Sequence, residues 1–282
     1  MTAPAGRVPV TWLYVPGDRP ERFAKAAGSG ADVVIIDLED AVVPARKDEA
    51  RANAAAFLRD RAGREGVAVH VRVNDLATPR GLADLAELGG LPGLDAVRLP
   101  KVESAGSLGA LEGVRVPVHA LLESAAGVVR AAEIAAHPRV AGVALGEQDL
   151  AAELSVTAES AMNQIRLNVV LAAAAASLPP VPMSVYPDVR DEEGLLASCA
   201  AGRGLGMFGG TAIHPRQLPV IRRAFTPTEE ETARAAEIVE AAEAAERDGR
   251  GAVALPDGRF VDAPIVARAR RTVALAERLG AG

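Results

Sequence analysis

Short β-branched runs alternate with longer helix-patterned stretches along most of this chain, and that alternation restricts the folds open to it. Apolar runs separated by helical stretches are buried parallel strands, each needing a helical crossover to reach the next. Candidate strands cover 11–15, 33–37, 67–73, 96–99, 116–122, 140–145, 181–185 and 207–213. Candidate helices cover 19–29, 46–62, 80–88, 104–111, 127–137, 158–177, 192–205 and 216–224. Eight of each in alternation predict an α/β chain closed as a (β/α)8 TIM barrel, for which 282 residues suffice. An open doubly wound sheet shares the alternation, usually with fewer strands. No Gly-x-Gly-x-x-Gly follows the first strands, which counts against the dinucleotide-binding version.

The chain runs on past the eighth helix. Thr226-Pro227-Thr228 followed by three glutamates reads as a helix start, with the pattern continuing to about residue 247. A polar, glycine-rich stretch at 248–251, an apolar one at 252–255, the turn signal Pro256-Asp257-Gly258 and a last helix at 264–279 complete it. The expectation is a barrel domain over 1–225 and a C-terminal helical extension over 226–282. That extension either acts as a lid on its own barrel or reaches a neighbouring protomer.

Barrels place chemistry at the C-terminal ends of their strands, and charges there are seldom buried unless paired or coordinated. The first strand ends in Asp18-Arg19, the second in Asp37-Leu38-Glu39-Asp40, the third in Arg72-Val73-Asn74 and the fourth in Arg98-Leu99-Pro100-Lys101. Glu123 closes the fifth, and Glu147 and Asp149 follow the sixth. Glu123 and Asp149, each after an apolar run and before a helical stretch, suit a hard divalent cation. Acids are also favoured as helix N-caps, and each alone reads equally as that. Arg72 interrupts an alternating apolar strand. It is either a clamp on an oxyanion or carboxylate, or the partner of Asp37 or Glu39 in a salt bridge across neighbouring strands. Lys101 could form a Schiff base, but the acidic mouth favours metal over imine chemistry.

Other features exclude function classes. A net charge of −6 and no Lys/Arg run argue against nucleic acid or an anionic membrane as partner. Single Cys199, in an apolar helical pattern, rules out an internal disulfide or a cysteine metal cluster and reads as core packing. The four histidines show no ligand-like spacing, and His214 in Ile213-His214-Pro215 reads as fixing a turn. Neither a nucleophile elbow nor a Walker loop appears. Met1–Pro9 shows no signal peptide and no apolar run is long enough to span a membrane, so the expected address is cytoplasmic.

These segments resemble the citrate lyase β-subunit-like branch of the HpcH/HpaI aldolase superfamily. The matching stretches, in order, are Leu13-Tyr14-Val15-Pro16-Gly17-Asp18-Arg19-Pro20, Asp37-Leu38-Glu39-Asp40-Ala41-Val42, Val71-Arg72-Val73-Asn74 and Leu99-Pro100-Lys101-Val102-Glu103. They continue with Leu122-Glu123-Ser124-Ala125-Ala126-Gly127, Gly146-Glu147-Gln148-Asp149-Leu150, Ile213-His214-Pro215-Arg216-Gln217 and Gly258-Arg259-Phe260-Val261-Asp262-Ala263-Pro264. The resemblance implies a TIM barrel, usually a homotrimer or a larger assembly such as a hexamer. It implies Mg²⁺ (or Mn²⁺) and carbon–carbon bond making or breaking in malyl-CoA, citramalyl-CoA or citryl thioesters, on coenzyme A or an acyl carrier. By position, Glu123 and Asp149 look like metal ligands and Arg72 like the substrate-binding arginine. Lys101 is expected to meet a carboxylate or a phosphate of the carrier. Asp37, Glu39 and Asp40 would orient metal-bound water or Arg72. Asp262 matches the acid on the C-terminal segment that enters a neighbouring protomer's site and exchanges a proton with the acetyl carbon. Two positions depart from the pattern: Met183 stands where an aspartate is usual, and Gly210 lies in a stretch where a lysine often occurs. The rival readings are a pyruvate-type aldolase on free hydroxy-keto acids, a thioester hydrolase, and a carrier-docking subunit of a citrate lyase complex.

Overall fold

Strands buried on both faces carry unbroken apolar runs, as parallel sheets require. In the computed structural model, which describes residues 9–63, 66–109, 111, 113–247, 253–254 and 260–280, Val33–Asp37 has every residue buried. The chain divides into two compact units, Met1–Arg223 and Ala224–Gly282.

The first unit is an α/β fold around a curled, all-parallel sheet. Its seven strands are β1 (Thr11–Pro16), β2 (Val33–Asp37), β3 (Ala68–Arg72), β4 (Ala96–Leu99), β5 (Val118–Leu122), β6 (Val140–Leu145) and β7 (Gly210–Ala212). They run in the order β6-β5-β4-β3-β2-β1-β7. The expected seventh strand, at 181–185, is not one. It makes a single parallel bridge, Met183 to Gly210, because Pro182 has no N–H to give a ladder and Pro179 and Pro180 precede it. Three backbone hydrogen bonds still tie it to the β7 side: Met183 N to Gly209 O (2.9 Å), Thr211 N to Met183 O (3.0 Å) and Phe208 N to Val181 O (3.0 Å). On the other side Ser184 Oγ donates to Leu145 O of β6 at 2.7 Å. The two edges of the sheet are thus joined through an irregular segment.

The helices also differ from expectation in places. The stretch at 104–111 holds only the 3-10 turn Ala105–Leu108. That at 127–137 is two short helices, Ala125–Val129 and Ala131–Ala135, broken at Arg130. One helix was not expected: Glu147–Leu154 starts directly after β6 and stops at Ser155, whose φ is +54°. Lys47–Asp60 buries Ala50, Ala54, Ala55 and Leu58, one face at helical spacing.

Register sets the depth of each side chain inside the curl. Near the N-terminal ends Trp12, Val33 and Ile35 pack together, with Tyr14 and Ala68 against them. Toward the C-terminal ends the row turns polar: Asp37 pairs with Arg72, Arg72 with Arg98, Arg98 with His119, and His119 with Gly142. Gly142 is required here, since a Cβ would stand 2.6 Å from His119 Nδ1.

In the second unit Glu229–Arg247 packs on Ala263–Gly280, and Val253–Ala254 pairs antiparallel with Phe260–Val261. Thr228 and Glu231 form the expected reciprocal cap, Glu231 N donating to Thr228 Oγ1 (3.1 Å) and Thr228 N to Glu231 Oε2 (2.9 Å). The stretch at 248–251 and the Pro256-Asp257-Gly258 turn signal lie outside the described residues, as do residues 1–8. Among the described residues no helix is long and apolar enough to cross a membrane.

Candidate active site

β3 delivers Arg72 inward, where it meets the acids that follow β2. Its Nε and Nη2 donate to the two carboxylate oxygens of Asp37 at 2.8 and 2.7 Å, a bidentate pair. Nη1 donates to Asp40 Oδ2 at 3.1 Å and lies 2.9 Å from Glu39 Oε2. The contact with Glu39 is out of line for a hydrogen bond. The salt-bridge reading of Arg72 is therefore realised. A guanidinium has five N–H donors, so one on Nη2 remains without a carboxylate. Burial works against the charge, but the Asp37 bonds outweigh it and raise the Arg72 pKa. Asp37 is fixed in turn by the Glu39 and Ala41 amides at 2.9 and 3.1 Å. The Arg72 guanidinium lies over the Tyr14 ring, 5.0 Å from its centroid.

Glu123 follows β5 and is 5% exposed. Burial, then the charge of Glu39, pushes its carboxyl up to about 8, with Arg72 opposing and Asp149 adding. Its Oε1 lies 4.0 Å from Arg72 Nη1 and its Oε2 accepts the Lys101 amide at 3.1 Å. Lys101 makes that contact from a left-handed backbone, φ +54°, an uncommon state for a residue with a Cβ. Its Nζ donates to Glu39 Oε1 at 2.8 Å, the bond that mainly raises the Lys101 pKa. Gly146 lets β6 pass under Glu123: a Cβ would sit 2.4 Å from Glu123 Cγ.

Asp149 lies in the first turn of Glu147–Leu154, not on the strand end itself. The neighbouring Glu147 is held bidentately by Arg166, at 2.9 and 2.6 Å, and Arg166 is 4% exposed inside Glu159–Ala175. Sequence reasoning missed Arg166. The signal was a lone arginine in an alanine-rich helix.

Two cavities meet at this place, and Glu123 and Asp149 line both. The inner one, 370 Å³, also has Tyr14, Arg72, Arg98 and Met183 in its walls. The outer one, 830 Å³, has Lys101, Glu103, Ser107 and Glu153. Of the expected site residues, Asp37, Glu39, Asp40, Arg72, Lys101, Glu123 and Asp149 come together here. Asp262 belongs to the second unit, where its carboxylate caps Ala263–Gly280 through the Ile265 amide at 3.3 Å. Among the described residues no three His, Cys, Asp or Glu side chains form a ready cation cage. Among the acids lining the inner cavity, those without a cationic partner closer than 4 Å are Glu123 and Asp149.

The sequence and the fold have counterparts among known proteins. The family model for HpcH/HpaI aldolase/citrate lyase matches residues 11–215. The (3S)-malyl-CoA thioesterase of Cereibacter sphaeroides is 40% identical over 275 residues, 95% of each chain. The citrate lyase subunit beta-like protein of Mycobacterium tuberculosis is 40% identical over 265 residues, 92% of each. The solved structure of protein CitE from Mycobacterium tuberculosis, in complex with magnesium, acetoacetate and coenzyme A, matches with a TM-score of 0.81. It is 36% identical and covers 95% of this chain and 98% of that one.

Proposed function

We propose that this chain, which belongs to the HpcH/HpaI aldolase/citrate lyase family, is a Mg²⁺-dependent carbon–carbon lyase. It would cleave or form a 3-hydroxyacyl-CoA thioester of the malyl, citramalyl or citryl type, giving acetyl-CoA and an oxo acid. The observation that carries this is Glu123 beside Asp149: a buried carboxylate with its proton held up to about 8 by burial and acidic neighbours. Two carboxylates plus substrate oxygens and water make a normal Mg²⁺ donor set. Glu123 and Asp149 would hold the ion (Mn²⁺ would also fit). When bound it supplies Lewis-acid polarisation of the substrate hydroxyl and of the carbonyl formed from it.

The chain's own groups do the rest. Arg72, locked by Asp37, keeps one Nη2 donor for the thioester enolate oxygen that develops as the carbon–carbon bond breaks. Asp37, Glu39 and Asp40 hold Arg72 and the water around it. Lys101, at the outer cavity, would meet a carboxylate or a phosphate of the carrier, and that cavity has room for a pantetheine arm. Asp262, presented by the 226–282 extension of a trimer or hexamer, would give the proton to the acetyl carbon. That reading makes the extension a lid over a neighbour's barrel, and the barrel a ring closed through 181–185. The expected setting is cytoplasmic, with no nucleic acid or membrane partner.

A second reading, hydrolysis of the thioester as well, is favoured by the likeness to a malyl-CoA thioesterase. The test is acetyl-CoA formation from malyl-, citramalyl- and citryl-CoA, with and without Mg²⁺, with free CoA followed by a thiol reagent. Metal-dependent acetyl-CoA without free CoA supports lyase action. Equal free CoA and free hydroxy acid would support hydrolysis. Silence across the panel would shift the assignment to the free-acid aldolase or the carrier-docking subunit.

A further inference from the structure

Resting on that reading, one charge in the inner cavity lacks an occupation. Arg98 is 2% exposed, its Nε has no hydrogen-bond partner, and it lines the 370 Å³ chamber. The groups that act on it are Tyr14 and Arg72, and no acid is among them. Its register neighbours on either side are Arg72 and His119, neither of them anionic. Burying a guanidinium without a counter-charge is costly, and such groups are retained where a ligand completes them.

Pairing off the chamber's charges isolates it. Arg72 is taken up by Asp37, Glu39 and Asp40, and Glu147 by Arg166. What remains is Glu123 and Asp149 on one side and Arg98 on the other. Two carboxylates and one guanidinium are the complement of a divalent cation together with an anion. The chamber's other walls include Leu121, Ala144, Leu145 and Met183, so the anion is small and partly apolar rather than a nucleotide. Tyr14 lines the same chamber, and its hydroxyl can donate to the same ligand.

We propose that Arg98 is the residue that receives the carboxylate of the substrate's acid half. A planar fork suits a carboxylate better than it suits an alcohol or a carbonyl.

The test uses full-length protein saturated with Mg²⁺, with glyoxylate, pyruvate and oxaloacetate each titrated calorimetrically into wild type, Arg98→Met and Arg98→Lys. Arg98→Met should lose roughly 30-fold or more in affinity for the acid that wild type binds. Arg98→Lys should recover part of it, and affinity for Mg²⁺ alone should change less than about threefold. The ligand-free Tm of Arg98→Met should equal or exceed wild type, since an uncompensated buried charge is gone. Unchanged acid binding in Arg98→Met would overturn the assignment, as would a lowered Tm with Mg²⁺ binding lost in both variants. Wild type that binds none of the acids also overturns it, while acetyl-CoA release by the same sample leaves the lyase reading standing. Loss of acid binding in Arg98→Met, in a wild type that cleaves no thioester, sustains Arg98 and removes the lyase reading.

Discussion

Arg72 directs most of its donors into the protein, so its charge is shared between Asp37, Glu39 and Asp40. Arg72→Lys keeps the charge and loses the bidentate fork. On the proposed mechanism kcat for thioester cleavage falls roughly 100-fold or more, the usual cost of one preorganised donor. Mg²⁺ affinity by calorimetry should hold, and its loss would make Arg72 a purely structural residue. Gly146 gives a prediction independent of charge. Gly146→Ala puts a Cβ 2.4 Å from Glu123 Cγ, so Glu123 must move. Mg²⁺ affinity should drop roughly tenfold or more, whereas unchanged affinity would place the metal away from Glu123. Arg72 was legible in the sequence because a charge broke an alternating strand. Arg98 breaks its strand in the same way, yet nothing in the spacing tells which buried arginine finds a carboxylate. That depends on which acids fold back from the β2 loop.

Across the strands, His70 and His119 form a layer below the site, ring centroids 5.1 Å apart. Burial, then its His119 and Arg98 neighbours, takes His70 well below its ordinary value. Burial and then Arg98 take His119 down to about 3. Both are neutral in the fold, while an unfolded chain protonates them near 6.5. The unfolded state therefore binds more protons between pH 6.5 and about 3, and stability falls as pH drops through that window. Thermal melts should show Tm lower by roughly 4 °C or more at pH 5 than at pH 7. His119→Gln should flatten that slope, and an unaltered slope would assign the acid sensitivity to other groups. The strand pattern itself was readable because buried parallel strands are continuous apolar runs. Two errors have a local cause. Pro182 silences an expected strand, and Glu147–Leu154 is too short and too acidic at its start to stand out by periodicity.

For the molecule as a whole, the proposed sharing of Asp262 between protomers has a numerical signature. Arg72→Ala and Asp262→Asn should each be inactive alone. Mixed equally, unfolded together and refolded, they should regain about a quarter of wild-type activity, since one site in four joins an intact Arg72 to a neighbour's intact Asp262. No recovery would mean that each chain completes its own site, and an active Asp262→Asn on its own would mean that Asp262 is idle. The barrel-like architecture could be read from alternation alone, whereas Asp262 by itself reads as an ordinary cap, and only the resemblance suggests a place for it in a neighbour's site. The Pro182 join has its own consequence for how the first unit breathes. A ring of continuous ladders opens only as one cooperative body, whereas a ring spliced by three backbone hydrogen bonds on one side and a serine hydroxyl on the other has a preferred place to part. Amide hydrogen exchange should find Met183 and Thr211 at least roughly tenfold faster than Ile35 and Val71, and equal rates would mean the splice is as firm as a strand. The inner cavity, with Met183 in its wall, would then gain its slowest motions from the side opposite the strands that hold Arg72.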